Sequence, residues 1–130
     1  MMRPSITVTS VTIMTPRPRQ LAAFYAALLS GEVTVSEPAR PGEPEDAGWA
    51  QVRAEPLTIN LEWERHWRPP HWPAESGEQT STQHLDLRVD DLEAATDWAM
   101  SCGAVRAEHQ PQETVVVMRD PSGHPFCLYV

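Results

Sequence analysis

Apolar and polar positions along this chain alternate with two periods, and the two periods follow each other in a fixed order. Residues 5–14, SITVTSVTIM, are dominated by β-branched types and predict a strand. Between Pro16 and Pro18 the sequence offers a helix start, because the first N–H groups of a helix have no acceptor for proline to disrupt. Leu21, Phe24, Tyr25, Leu28 and Leu29 then recur at i, i+3, i+4, i+7 and i+8, the stripe of a helix packed on one side. Gly31 is the expected residue closing it. GEVTVSE, WAQVRA and PLTINLEW follow as three strands, the first two separated by the loop ARPGEPEDAG and the last two by a turn at Glu55 and Pro56.

The second half repeats the order. QHLDLRV predicts a strand, and Asp90 with Glu93 has capping-box spacing for the next helix. Leu92, Ala95, Ala99 and Cys102 supply its buried stripe, with Gly103 at its end. AVRAEH, ETVVVMR and HPFCLYV are then three strands, the last entered through the tight turn DPSG. Each half therefore reads β, α, then three β. Ser30-Gly31-Glu32-Val33 matches Cys102-Gly103-Ala104-Val105 at a spacing of 72 residues, which marks an internal duplication.

One strand carries unusual chemistry. In STQHLDLRVDD, His84, Asp86 and Arg88 occupy alternate positions with Leu85, Leu87 and Val89 between them. Such a strand buries an aliphatic face and presents imidazole, carboxylate and guanidinium on the other. That polar face either meets water or lines a ligand cavity.

Composition narrows the partners. The formal charge is −8 and the pI about 5.0, which argues against nucleic-acid or anionic-membrane partners, since both require a basic footprint. The two cysteines, Cys102 and Cys127, lack CxxC spacing and read as buried reduced thiols rather than a disulfide. The start MMRPSITVTS has no apolar signal-peptide core, and no run approaches the roughly 20 apolar residues that span a bilayer. A cytoplasmic protein is expected.

Phe24-Tyr25 followed by Leu28-Leu29-Ser30-Gly31, His84-Leu85-Asp86-Leu87 with Val89-Asp90-Asp91-Leu92, and Asp120-Pro121-Ser122-Gly123-His124-Pro125-Phe126-Cys127 resemble motifs of the vicinal oxygen chelate superfamily. That superfamily includes glyoxalase I, extradiol dioxygenases and bleomycin-resistance proteins, and the likeness is to its glyoxalase-like subgroup. The resemblance implies an α+β fold of tandem βαβββ modules forming U-shaped mixed sheets around a cavity. It implies one domain over residues 1–130, with module one at about 5–64 and module two at about 82–130. His84, Asp86 and Arg88 would then face inward.

Metal-binding members of the superfamily take four ligands from the first and last strands of each module. By spacing, those positions fall on Ser10, Asn60, His84 and Cys127, with Glu62 two residues beyond Asn60 on the same face. Serine and asparagine are weak neutral ligands and Cys127 must ionise, so the sequence assigns no metal and disfavours, without excluding, a divalent ion.

The segment WERHWRPPHWP places Trp63, Trp67 and Trp72 among arginines and prolines, reading either as a lid over the cavity or as a cover for core or dimer contact. His66, His71 and His109 are expected to be exposed, His124 to pack in its turn, and Trp49 and Trp98 to be core or interface. The leading reading is a homodimeric small-molecule-binding protein without an obligatory metal, sequestering or detoxifying a compound. Ser10, Thr12, Asn60, Arg88 and Cys127 would contact the ligand together with Trp67 and Trp72. The alternative is a lyase or isomerase acting on an oxygenated substrate through His84, Asp86 and Glu62, with or without a metal.

Overall fold

The computed structural model describes residues 1–130. The chain divides into two compact units, Met1–Trp63 and Glu64–Val130. In the first, β1 (Ser10–Thr15) leads to α1 (Pro18–Leu29), then β2 (Glu32–Glu37), β3 (Trp49–Arg53) and β4 (Thr58–Trp63). In the second, β5 (Leu85–Arg88) leads to α2 (Leu92–Cys102), then β6 (Val105–Arg106), β7 (Val115–Arg119) and β8 (Pro125–Tyr129). Each unit is βαβββ, and each sheet is four-stranded, open and mixed, in the orders β1-β4-β3-β2 and β5-β8-β7-β6. The fold class is α+β.

The first strand and last strand of each unit are parallel neighbours, β1 with β4 and β5 with β8. The helix between them packs on one face of its own sheet. In the first unit Leu21, Ala22, Phe24 and Tyr25 of α1 are buried together with Ala50, Val52, Ile59 and Leu61. In the second, Ala99 of α2 is buried along with Val116, Met118, Phe126 and Leu128. Strand alternation sends the intervening residues to the opposite face.

Several local expectations need correction. The strand predicted over residues 5–14 starts only at Ser10, because β1 is an edge strand and its sole partner β4 begins at Thr58. Residues 5–9 run on exposed despite their β-branched side chains. Ser30, not Gly31, takes the left-handed conformation that ends α1, with φ 51°. Gly103 does the same for α2, so Ser30 corresponds to Gly103. Gly31 N–H and Ala104 N–H then bond to Ala26 and Ala99 oxygens respectively, which shifts the repeat offset by one at this point. Gly31 is needed for space instead, since a Cβ there would lie 2.8 Å from the Arg53 oxygen.

The N-cap of α2 is Asp91, whose carboxylate accepts the Ala94 N–H, rather than Asp90. The predicted strand AVRAEH shortens to Val105–Arg106 because the Gln110 side chain takes over the ladder, donating to the Val117 oxygen and accepting the Val117 N–H. Trp98 is 53% exposed, which rules out a core role. Trp49 is half-buried and donates its indole N–H to Glu37.

Candidate functional site

In the first unit the face away from α1 carries Ser10, Thr12, Asn60 and Glu62, as the β1–β4 register places Ser10 opposite Thr58 and Thr12 opposite Asn60. A chain of hydrogen bonds crosses all four strands here. Thr34 Oγ1 donates to Gln51 Oε1 (2.8 Å), Gln51 Nε2 donates to Asn60 Oδ1 (2.9 Å), and Asn60 Nδ2 points at Thr12 Oγ1 (3.5 Å). Every member is neutral. Gln51 was not among the residues expected from sequence, although its polar position between buried Ala50 and Val52 is a readable signal.

The second unit carries charge at the matching register. Asp86 faces Cys127 across the β5–β8 pair, as Thr12 faces Asn60 across β1–β4. His84 lies directly before β5 and shares the face of Asp86 and Arg88, and all three are exposed while Leu85 and Leu87 are half-buried. His84 Nε2 lies 3.2 Å from Asp86 Oδ1. One potential ligand atom from each of His84, Asp86 and Cys127 falls within 4.8 Å of the others. Partial burial pushes the Cys127 thiol above its usual range, and the negative charge of Asp86 and a hydrogen bond to it push the same way. A thiol so placed stays protonated and is a poor nucleophile.

These donors can be weighed against the divalent ion that the superfamily implies. The first unit offers little: Ser10 is a neutral hydroxyl, and the Asn60 carbonyl oxygen already accepts a hydrogen bond. The second unit offers imidazole, carboxylate and thiol together, a nitrogen, oxygen and sulfur set suited to zinc-type ions. The donors of the second unit fit such an ion.

Trp63 ends β4 in the first unit, and the rest of the tryptophan segment, from Glu64, belongs to the second unit and folds onto it. Arg119 Nη2 donates to the Trp72 carbonyl oxygen at 2.7 Å, and Trp72 stacks at a tilt on His109 with ring centres 5.6 Å apart. Trp67 meets His124 edge-on at 5.8 Å. His124 is fixed in turn by donating Nδ1–H to buried Asp120 at 2.8 Å. A cleft of about 600 Å³ opens beside this segment, lined by Trp72, His109, Arg106 and Arg119 among others. Arg119 lies two residues along β7 from Val117, the partner of Cys127, so the cleft borders the face that carries Cys127 and Asp86. Trp67 does not line it. His66 and His109 are exposed as expected, whereas His71 is half-buried beside Glu75 and Glu78. Arg106 and Arg119 were not singled out from sequence, and His109 was expected only to be exposed, because nothing in a local pattern brings them to residue 72.

Residues 10–129 match the profile of the glyoxalase-like domain. The chain belongs to the glyoxalase-like domain family. Its fold is that of the vicinal oxygen chelate superfamily. A glyoxalase family protein from Enterococcus faecalis superposes with a TM-score of 0.68 at 16% identity, covering 95% of this chain and 97% of that one. A glyoxalase family protein from Bacillus anthracis gives a TM-score of 0.58 at 17% identity, covering 98% and 97%. The fosfomycin resistance protein FosX from Listeria monocytogenes, in a mutant form complexed with Mn(II) and 1S,2S-dihydroxypropylphosphonic acid, gives 0.67 at 12% identity, covering 95% and 88%. No curated protein matches the sequence. No helix in this family member is long and apolar enough to cross a membrane.

Proposed function

We propose that this glyoxalase-like protein binds a small oxygenated, anionic molecule and sequesters or detoxifies it. The observation that carries the reading is the gathering of His84, Asp86 and Cys127 on one sheet face, with Arg88 two residues beyond Asp86 on the same face. Arginine supplies a fixed fork of donors for a carboxylate or phosphonate, and the His84–Asp86 pair can donate and accept beside it. Trp72 offers a flat ring beside a cleft of the same unit. Fosfomycin resistance proteins share the fold, which favours a detoxifying role over a housekeeping one. A cytoplasmic homodimer, the sequence-based expectation, is kept as part of this proposal.

Native mass spectrometry of the protein as purified tests this. A retained small molecule of fixed mass is expected, or else a thermal shift with 1S,2S-dihydroxypropylphosphonic acid or related small hydroxy acids. Arg88→Ala is expected to abolish either signal. Absence of both signals for the parent protein would remove the reading.

A second reading has an observation of its own. His84 Nε2 and Asp86 Oδ1 are close enough, at 3.2 Å, to act as an oriented acid–base pair for a lyase or isomerase. His84→Gln then stops turnover of the bound molecule without releasing it. Equal persistence of the ligand unchanged in both proteins would leave sequestration alone.

A further inference from the structure

We propose that His84, Asp86 and Cys127 form a three-ligand site for a zinc-type divalent cation, complete within the second unit and open on its remaining coordination position. The inference deepens the ligand-binding reading above. It is tested with metal alone, so the two fail separately.

The ligand set is what carries it. A tetrahedral zinc ion with bonds of about 2.0–2.3 Å holds its donor atoms about 3.3–3.8 Å apart. The three donor atoms here lie within 4.8 Å of one another, and His84 Nε2 to Asp86 Oδ1 is already 3.2 Å. Small side-chain rotations therefore suffice. Paired strands fix the backbone beneath Asp86 and Cys127, which are direct register partners, and His84 directly precedes the first paired residue, Leu85. Charge also closes: one carboxylate and one thiolate neutralise a dication, and imidazole adds none.

A thiol binds such an ion as thiolate, so Cys127 would give up its proton to solvent as the metal–sulfur bond forms. The mixed nitrogen, oxygen and sulfur set selects zinc-type ions over magnesium or calcium, which prefer oxygen alone. His84 and Asp86 have side chains 49% and 61% exposed, so an ion can enter.

This set differs from one ligand per first and last strand in both modules. Asp86 and His84 come from a single stretch two residues apart, and Ser10 and Asn60 take no part. The Asn60 amide is already held by Gln51 on one side.

The test is titration of reduced, chelator-stripped protein with cobalt(II). One equivalent is expected to raise a sulfur-to-cobalt charge-transfer band and tetrahedral visible bands, to release about one proton, and to be displaced by zinc. Cys127→Ser should abolish the charge-transfer band, while Cys102→Ser should keep it. Asp86→Asn should weaken cobalt binding by more than about tenfold, since losing a ligand costs at least as much as losing its outer support. Ser10→Ala with Asn60→Ala should leave affinity within about twofold, against that same scale. Circular dichroism checks that each variant is folded. A protein with both thiols free and no charge-transfer band at stoichiometric cobalt overturns the site. So does an Asp86→Asn protein with unchanged affinity, or loss of binding in the Ser10 and Asn60 variant.

Discussion

At the scale of single residues, two side chains concentrate testable physics. Cys127 has its thiol pushed up by partial burial and then by Asp86, so in metal-free protein it should alkylate slowly at neutral pH. Its iodoacetamide rate should rise at a higher pH than that of an unfolded control, and Asp86→Asn should move the rise part of the way back. Burial, the larger cause, remains in that variant. The linkage sign follows: between the unfolded and the raised folded value, the native state keeps a proton that the unfolded state has lost. Stability from this group is therefore full below the unfolded value and falls as pH rises through the folded one. Asp120 is the second. Its buried carboxylate oxygen accepts the backbone N–H groups of Ser122 and His124, and the His124 ring donates to it as well. Asp120→Ala strands three donors in a half-buried turn and should cost about 2–4 kcal/mol in urea unfolding. A loss under about 1 kcal/mol would mean that water replaces the carboxylate.

Elements show where pattern reading succeeds and where it stops. The helices and most strands were legible because their apolar residues meet a helix or sheet period over many positions, as with Leu21, Phe24 and Tyr25 in α1. The ends were not. Ser30 and Asp91 win their capping positions through bonds one residue away from the expected ones, and β1 is cut short by the length of its partner. Gly48 is similar. It opens β3 at φ 103°, and a Cβ there would lie 2.1 Å from the Glu37 oxygen. Gly48→Ala therefore faces both a left-handed backbone and a backbone collision, and should destabilise by about 2–4 kcal/mol where a surface glycine would cost far less. An unchanged melting temperature would show that the turn before β3 relaxes freely. The tryptophan segment was readable as a loop from its prolines, but its attachment through Arg119 and His109 was not, since those residues are distant in sequence. Trp72 lines the cleft and Trp67 does not, so Trp72→Ala should weaken an aromatic ligand by about 1–3 kcal/mol by fluorescence titration and Trp67→Ala should not. Equal effects would move the ligand out of the cleft.

At the scale of the whole molecule, one duplicated plan has been filled with two chemistries. The register pairs Thr12 with Asn60 in one unit and Asp86 with Cys127 in the other, and in each unit the next strand inward follows, Gln51 or Val117. Where the second unit has charge and sulfur, the first has amides and hydroxyls bonded to one another. Transferring family positions one at a time, from sequence, found His84 and Cys127 but passed over Asp86. A template with one ligand per strand has no place for a second residue on the same stretch. If register equivalence governs the chemistry, the donor set can be moved. The first unit with Ser10→His, Thr12→Asp and Asn60→Cys together carries imidazole, carboxylate and thiol at matching positions. Loss of Asn60 also removes the acceptor of the Gln51 side-chain N–H, so some stability is forfeited, about 1 kcal/mol for one part-buried hydrogen bond. The expected cobalt stoichiometry rises from one to two, and the added band should survive Cys127→Ser. A folded triple variant that still binds one equivalent would show that strand register alone does not reproduce the site, and that features peculiar to the second unit hold His84, Asp86 and Cys127 in place.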